Sequence, residues 1–488
     1  MKNIYRRIAL YTLILSGIAL AIHCSKSKKG GGDNPPQQPG GGTVTNSDVA
    51  MWLTKGDQTA LLSKQIVSLN FNTSSNNYAT IEIDSTQKLQ TIDGFGYALT
   101  WGSAQVINDL PDNTRAALLR ELFSNDSNAI GVSYLRISIG ASDLNPSVYT
   151  YDETSSPGFP DSLLQNFTLD QDRRYVIPVL KQILAINPAI KILGSPWTAP
   201  LWMKTNGAAI GGSLKPQYYA SYANYFVKYI QEMKKEGITI DAITPQNEPL
   251  YGGNNPSMQM SATEQAAFIK DYLGPAFQAA GITTKIIAYD HNCDRPDYPI
   301  TVLNDAGARP YVNGSAFHLY GGDISALSQV HNAYPDKNLY FTEMYTSSTA
   351  SFSGDLVWHL KNLIIGAPRN WSRNVVEWNL ASDPSYGPHT NGGCNVCKGA
   401  LTVGSAVYRN VSYYIIGHAS KFVPPGSVRI ASNNISGTLS NVAFLRPDGK
   451  KVLIVINETA NPQYFNIKFN NKQVTPFLDG GAAATFIW

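Results

Sequence analysis

Cysteine is scarce, with four in 488 residues, which excludes a small disulfide-stapled scaffold. Only Cys394 and Cys397 form a Cys-x-x-Cys pair, in a Gly-rich stretch, and no second pair or His pair accompanies it; His389 alone does not make a zinc site. In an oxidising compartment this pair reads as a tight structural disulfide, with free thiols as the alternative; Cys293 is left as a free thiol. Charge of one sign is also lacking: the formal net charge is +3, too small for a nucleic-acid-binding field. No G-x-G-x-x-G turn or Walker loop is present, so no nucleotide site is implied. Nor is there an apolar run of membrane-spanning length; the longest, Ile8 to Ile22, has 15 residues.

That run follows Lys2, Arg6 and Arg7 and precedes Cys24, the order of an export signal. Cys24 is then expected to be the lipidated first residue of a periplasmic or cell-surface lipoprotein; ordinary secretion or an uncleaved anchor is the alternative. The only membrane contact implied is this anchor. Residues 1–24 are read as the signal and 25–47, rich in Lys, Gly, Pro, Gln and Asn, as a flexible tether.

Aromatic residues make up 11% of the chain, enough to line a sugar cleft, although core or helix-face packing is the commoner role of any one of them. Two segments organise the remainder. ITPQNEPL (Ile243 to Leu250) is a short apolar approach ending in a carboxylate, Glu248. NLYFTEMY (Asn338 to Tyr345) repeats that shape with Glu343. Around them lie GFGYAL from Gly94, VSYLRISIG from Val132, IKILGSPWTAP from Ile190, KIIAYDH from Lys285, GSAFHLY from Gly314 and VVEWNL from Val375. Helical patterns separate these segments. Eight alternating strand–helix units close most simply as a parallel (β/α)8 barrel, assigned to residues 93–405; a doubly wound open sheet is the alternative. After residue 406, short alternating strands with Pro-Gly and Asp-Gly turns predict an antiparallel β-sandwich over 406–488. The 48–92 lead-in, through Thr80 to Leu89, is expected to lend it a strand, so that both chain ends build it.

In such a barrel the strand ends converge on one face, which brings Glu248 and Glu343 together. Paired carboxylates are what glycoside hydrolysis needs. Asn247 beside Glu248 is placed to bond a sugar 2-hydroxyl, and Arg136 to hold the charge of a carboxylate nucleophile. His318 and Tyr320 alternate along one strand and face the same way.

The stretches GFGYALT, LRISIG, SPWTAPLWMKTNG, GGSLKP, TPQNEP, FHLY, FTEM, EWNLA and KFVPPGSVRI resemble glycoside hydrolase family 30, retaining β-glycosidases with a barrel and an attached β-sandwich. The resemblance implies Glu248 as acid/base and Glu343 as nucleophile. It implies Arg136, Trp197, Asn247, His318, Tyr320 and Trp378 as sugar-site residues, with no metal and no organic cofactor. Family members that bind terminal glucose typically read GFGGAxTD. Here the matching stretch is GFGYALTW, with Trp101 in place of the Asp. A carboxylate for the sugar's outer hydroxyls is therefore expected to be missing, and Trp101 to offer a stacking wall. GGCNVCKGALTV (Gly392 to Val403) is similar to a segment of the family's endo-β-1,6-glucanases. The resemblance thus implies an enzyme acting on β-1,6-glucan; the chain is expected to be a monomer. The alternatives are an exo-β-glucosidase or glucosylceramidase-like enzyme, and a non-catalytic surface glycan-binding lipoprotein.

Overall fold

The computed structural model describes residues 47–153 and 160–488. The expected signal, tether and lipid-bearing Cys24 lie outside the described residues. Among the described residues no helix is long and apolar enough to cross a membrane.

Eight parallel strands close into a barrel: Gly94–Ala98, Tyr134–Ser138, Lys191–Ser195, Ala242–Ile243, Lys285–Cys293, Val312–Gly322, Asn338–Glu343 and Ser372–Glu377, the last pairing with the first. Their residues read as apolar runs because helices cover the outside while side chains fill the inside. Tyr134, Leu193, Ala242, Ile287, Ala316, Tyr340 and Val376, one from each strand but the first, pack together as the interior floor. The first strand comes close instead: a Cβ on Gly96 would lie 1.9 Å from the Tyr134 carbonyl oxygen.

The fourth strand is short because Pro245 carries no N–H for the ladder. Glu248 therefore stands five residues beyond Ile243 rather than at the strand's end, whereas Glu343 is the last residue of the seventh strand. The fifth strand bulges, its register slipping between Tyr289 and His291. Tyr289 and Asp290 there have positive φ, 77° and 72°. An extra residue of this kind re-aims a side chain, and the one re-aimed is Asp290.

The helix after Ser261 opens with a complete capping box, as its Ser-Ala-Thr-Glu start predicts. A helix at Val411–Ser420 lies within residues 406–488, where only β-structure is expected from the sequence pattern. Tyr97 of the first barrel strand donates to the Ser412 carbonyl at 3.1 Å, and Ser412 bonds Glu377 of the eighth. This segment therefore completes the eighth strand–helix unit.

The β-domain is a strand path that runs from Ser63–Lys64 through Ala50–Thr54, Ala483–Ile487, Lys451–Asn457, Leu439–Leu445, Val428–Ser432, Ala79–Thr91 and Gln463–Phe469 to Lys472–Val474. Both chain ends contribute. The pairing is antiparallel except where Ala79–Glu82 runs parallel to Phe465–Lys468. Lys451–Asn457 shows the physics of the junction: Val452, Ile454 and Ile456 point into the barrel-side core, and Leu453 and Val455 into the sandwich's own. A strand buried on both faces loses the alternation that marks a half-exposed one, hence its unbroken VLIVI.

Candidate active site

A cavity of about 420 Å³ opens where the strands end, and Asp143, Trp197, Glu248, Tyr320, Glu343 and Trp378 are among its lining residues. At its base Arg136 is fully buried. Its Nη1 donates to Glu343 Oε2 at 2.5 Å; its Nη2 donates to Asn247 Oδ1 at 2.6 Å and to Asp290 Oδ2 at 2.8 Å. Burial opposes a charge there, yet Asp290 and Glu343 hold the guanidinium pKa above its ordinary value. Its Cζ lies 4.9 Å from the Trp197 ring centroid, and the Trp197 and Trp378 ring centroids are 5.3 Å apart, so the two indoles form one wall. Because Asn247 turns its carbonyl to Arg136, its NH2 is the group left for a sugar hydroxyl.

Asp290 is not among the residues that the sequence marks for the site. It accepts from Arg136, His318, Ser195, Thr244 and Thr342, which come from five different strands or their extensions. Burial alone would raise its pKa; the Arg136 charge and these bonds carry it well below the usual carboxylate range. The one available signal was a carboxylate closing the apolar run KIIAYD, the same shape that marked Glu343.

With Asp290 ionised, His318 Nε2 must be the donor in their 3.0 Å bond. His318 Nδ1 then faces Glu248 Oε1 at 3.3 Å, and one proton lies in that bond. Burial pulls His318 down, but Glu343, Asp290 and Glu248 carry it to about 9. Burial likewise pushes Glu248 up, and the His318 bond and the surrounding positive charges outweigh it, leaving its pKa lowered. Glu343 is raised, by burial first, with Glu248 and Asp290 adding to it. Both Glu343 oxygens nevertheless only accept: one from Arg136, the other from the Tyr320 hydroxyl at 3.1 Å. Donors aimed at a carboxylate favour its charged form. The ionised member is therefore Glu343, and the cluster's mobile proton is shared by His318 and Glu248; the three titrate together. Glu248 itself sits at φ 45°, a left-handed conformation that costs about 1–3 kcal/mol and is held by its N–H on the Asp290 carbonyl. Asn254 donates to its other oxygen at 3.2 Å.

One oxygen of Glu248, one of Glu343 and a His318 ring nitrogen lie within 4.8 Å of one another. Carboxyls about 5–5.5 Å apart serve a retaining double displacement, whereas an inverting enzyme needs about 6.5–9.5 Å to admit water. Among the described residues this trio also has the donor types of a metal site. Here, however, both His318 nitrogens already bond carboxylates and Arg136 already neutralises Glu343.

Trp101 does not form a stacking wall. The Thr100 hydroxyl accepts from the Ser103 N–H and caps a helix beginning at Trp101, which turns the indole away from the cavity. It packs edge-on to Tyr175, and its N–H bonds the Gln171 carbonyl. Nor is the pocket short of a further carboxylate. Asp143, on the loop after the second strand, lines it; burial raises its pKa to about 7. Cys394 and Cys397 are joined as a disulfide on the same wall, and Cys293 is free and buried.

The glycosyl hydrolase family 30 TIM-barrel domain model matches residues 92–423, and the family 30 β-sandwich domain model matches residues 426–486. An endo-1,6-β-D-glucanase of Aspergillus fumigatus is 36% identical over 423 residues, 81% of this chain and 84% of that one. The lysosomal acid glucosylceramidase of Mus musculus is 33% identical over 406 residues, 78% and 77% of the two chains. The solved structure of an endo-β-1,6-glucanase superposes with a TM-score of 0.84 at 37% identity, covering 91% of this chain and 99% of that one.

Proposed function

The chain belongs to glycosyl hydrolase family 30, and from that membership we propose that it cleaves β-1,6-linked glucan internally, with retention of configuration. The observation that carries the mechanism is the proximity of the two glutamates, one bonded by Arg136 and the other by His318. Glu343 attacks the anomeric carbon and forms a glycosyl-enzyme ester as the C–O bond to the leaving sugar breaks. Glu248 gives the cluster's proton to the departing oxygen. It then takes a proton from water, which attacks the same carbon and frees Glu343. Arg136 and Tyr320 fix the nucleophile's two oxygens before reaction, so no reorganisation is needed as the charge moves. Trp197 and Trp378 offer flat apolar surface to the sugar ring, and the Asn247 amide is placed for a hydroxyl.

The β-1,6 linkage is supported by relatives of that activity over four-fifths of the chain. A second reading, exo-cleavage of glucosides or glucosylceramide, is supported by the mouse relative. Product profiling on pustulan-type glucan separates them: an early burst of oligosaccharides is the endo outcome, and glucose alone from the first minutes refutes it. Binding of the polymer without any hydrolysis would instead fit a non-catalytic glycan-binding protein. We extend the proposal to location: a monomer carried out of the cytoplasm and anchored by lipid at Cys24, a reading supported by the order of charge, apolar run and cysteine over residues 2–24.

A further inference from the structure

The loop after the eighth barrel strand returns across the cavity mouth and is tied down on three sides. On one, the Thr390 N–H donates to the Asp143 carbonyl at 2.8 Å and the Cys394 N–H to the Asp143 carboxylate at 3.1 Å. Gly393 is required there, since a Cβ would lie 2.5 Å from the Asp143 carbonyl oxygen. On the second, the Thr390 hydroxyl donates to the Asn255 carbonyl at 2.6 Å, next to the Asn254 that bonds Glu248. On the third, Cys397 pairs with Ser347, four residues beyond Glu343, and the Val396 carbonyl accepts from Ser348 at 2.8 Å. The disulfide joins the first side to the third.

Among the described residues, the Cys394 N–H is the one hydrogen-bond donor from elsewhere in the chain to the Asp143 carboxylate. Asp143 lines the cavity, and one N–H leaves most of its carboxylate's acceptor capacity unused.

We propose that the Cys394–Cys397 disulfide is a positioning device for sugar recognition: it locks the Cys394 amide onto Asp143 and so aims that carboxylate at the bound sugar. The sugar-binding role of Asp143 rests on the glycosidase reading above; its coupling to the disulfide does not. Opening the disulfide frees the loop between two anchors, withdraws the amide, and leaves Asp143 buried with less to hold its charge. The glutamates are hydrogen-bonded by Arg136, Tyr320, His318 and Asn254 and by neither Cys394 nor Cys397, so the loss falls on substrate affinity more than on turnover.

The test uses the full chain, oxidised and after treatment with a water-soluble phosphine, which reduces the disulfide to two thiols and is itself oxidised to the phosphine oxide with oxygen from water. Cys394→Ser/Cys397→Ser is run in parallel, and thermal unfolding confirms that each sample is folded. On β-1,6-glucan, KM rises about tenfold on reduction while kcat changes far less. The acid-side limb of the KM profile moves to higher pH, because the departing N–H had favoured the charged form. In Asp143→Asn the effect of reduction on KM shrinks to less than twofold. The carboxyl titration of Asp143, followed by carbon-13 NMR and assigned by its loss in Asp143→Asn, shifts upward on reduction. That arm needs no substrate, so failure of the glucanase reading leaves it intact. An unshifted Asp143 titration, or an equal loss of affinity in wild type and Asp143→Asn, overturns the proposal.

Discussion

Replacing Asp290 with Asn tests the site's electrostatic logic most severely, because it removes a charge while keeping the side-chain shape. Asp290 receives five donors: Arg136 at 2.8 Å, His318 at 3.0 Å, and the hydroxyls of Ser195, Thr244 and Thr342 at 2.6, 2.8 and 2.6 Å. An asparagine offers one oxygen to this ring and turns an NH2 on the other side. The hydroxyls can rotate to accept from it; Arg136 cannot, and His318 can only by giving up its Nε2 proton. Breaking a buried pair from one side costs about 3–5 kcal/mol, which sets the expected loss of stability in denaturant unfolding. The kinetic cost follows from what Asp290 holds. Arg136 loses one of two anionic partners and no longer fixes Glu343 as tightly, and His318 loses the acceptor that keeps it charged. Assigning about 3–4 kcal/mol of transition-state stabilisation to that geometry gives a fall in kcat/KM of about 10²–10³-fold. The pH profile carries a sharper signature. His318 is held at about 9, above its ordinary value, so its ion pairs stabilise the fold fully below the ordinary histidine range and are lost as pH rises through about 9. The alkaline limb of kcat/KM, where the proton shared with Glu248 departs, moves to lower pH in Asp290→Asn. Activity within threefold of wild type, with an unmoved alkaline limb, would refute the reasoning.

Glu343→Gln keeps the volume but removes the nucleophile and is expected to lower turnover by at least about 10³-fold; near-wild-type rates would remove it from the mechanism. Proton NMR of the first product formed in methanol–water should show the β-glucoside, and an α-glucoside would exclude retention. His418 is buried between the hydroxyls of Thr485 and Thr54, and burial lowers its pKa to about 3. Its native form is neutral while the unfolded chain takes up a proton below about 6.5. Stability should therefore fall by about 1.4 kcal/mol per pH unit between about 6.5 and 3, and His418→Asn should flatten that slope in urea titrations. Cys24→Ser should abolish incorporation of labelled fatty acid during expression in a bacterial host; retained label would end the anchor proposal.

What the amino-acid sequence determined by itself is the part written in local pattern. A strand buried on both faces must be apolar throughout, and a carboxylate that closes such a run, or follows it within a few residues, stands out against it; that is how the eight barrel segments and the glutamates at 343 and 248 were legible. The capping box at Ser261 and the Cys394–Cys397 pair were legible for the same reason: each is a short-range arrangement. Tertiary structure decided the rest. Asp290 matters because side chains from five strands or their extensions converge on it, and no spacing along the chain encodes that convergence. The register slip that turns it inward is likewise a property of strand pairing. Trp101 stood where a sugar contact was expected, but the Thr100 cap starts a helix that carries it outward, and Asp143 enters the pocket from a different loop. The helix at Val411–Ser420 belongs to the barrel because Tyr97 and Glu377 receive it, a partnership across about three hundred residues in the first case. Local periodicity sets what each segment is; which loop residues meet is set by the closure of the barrel, because only closure brings distant strand ends to one face.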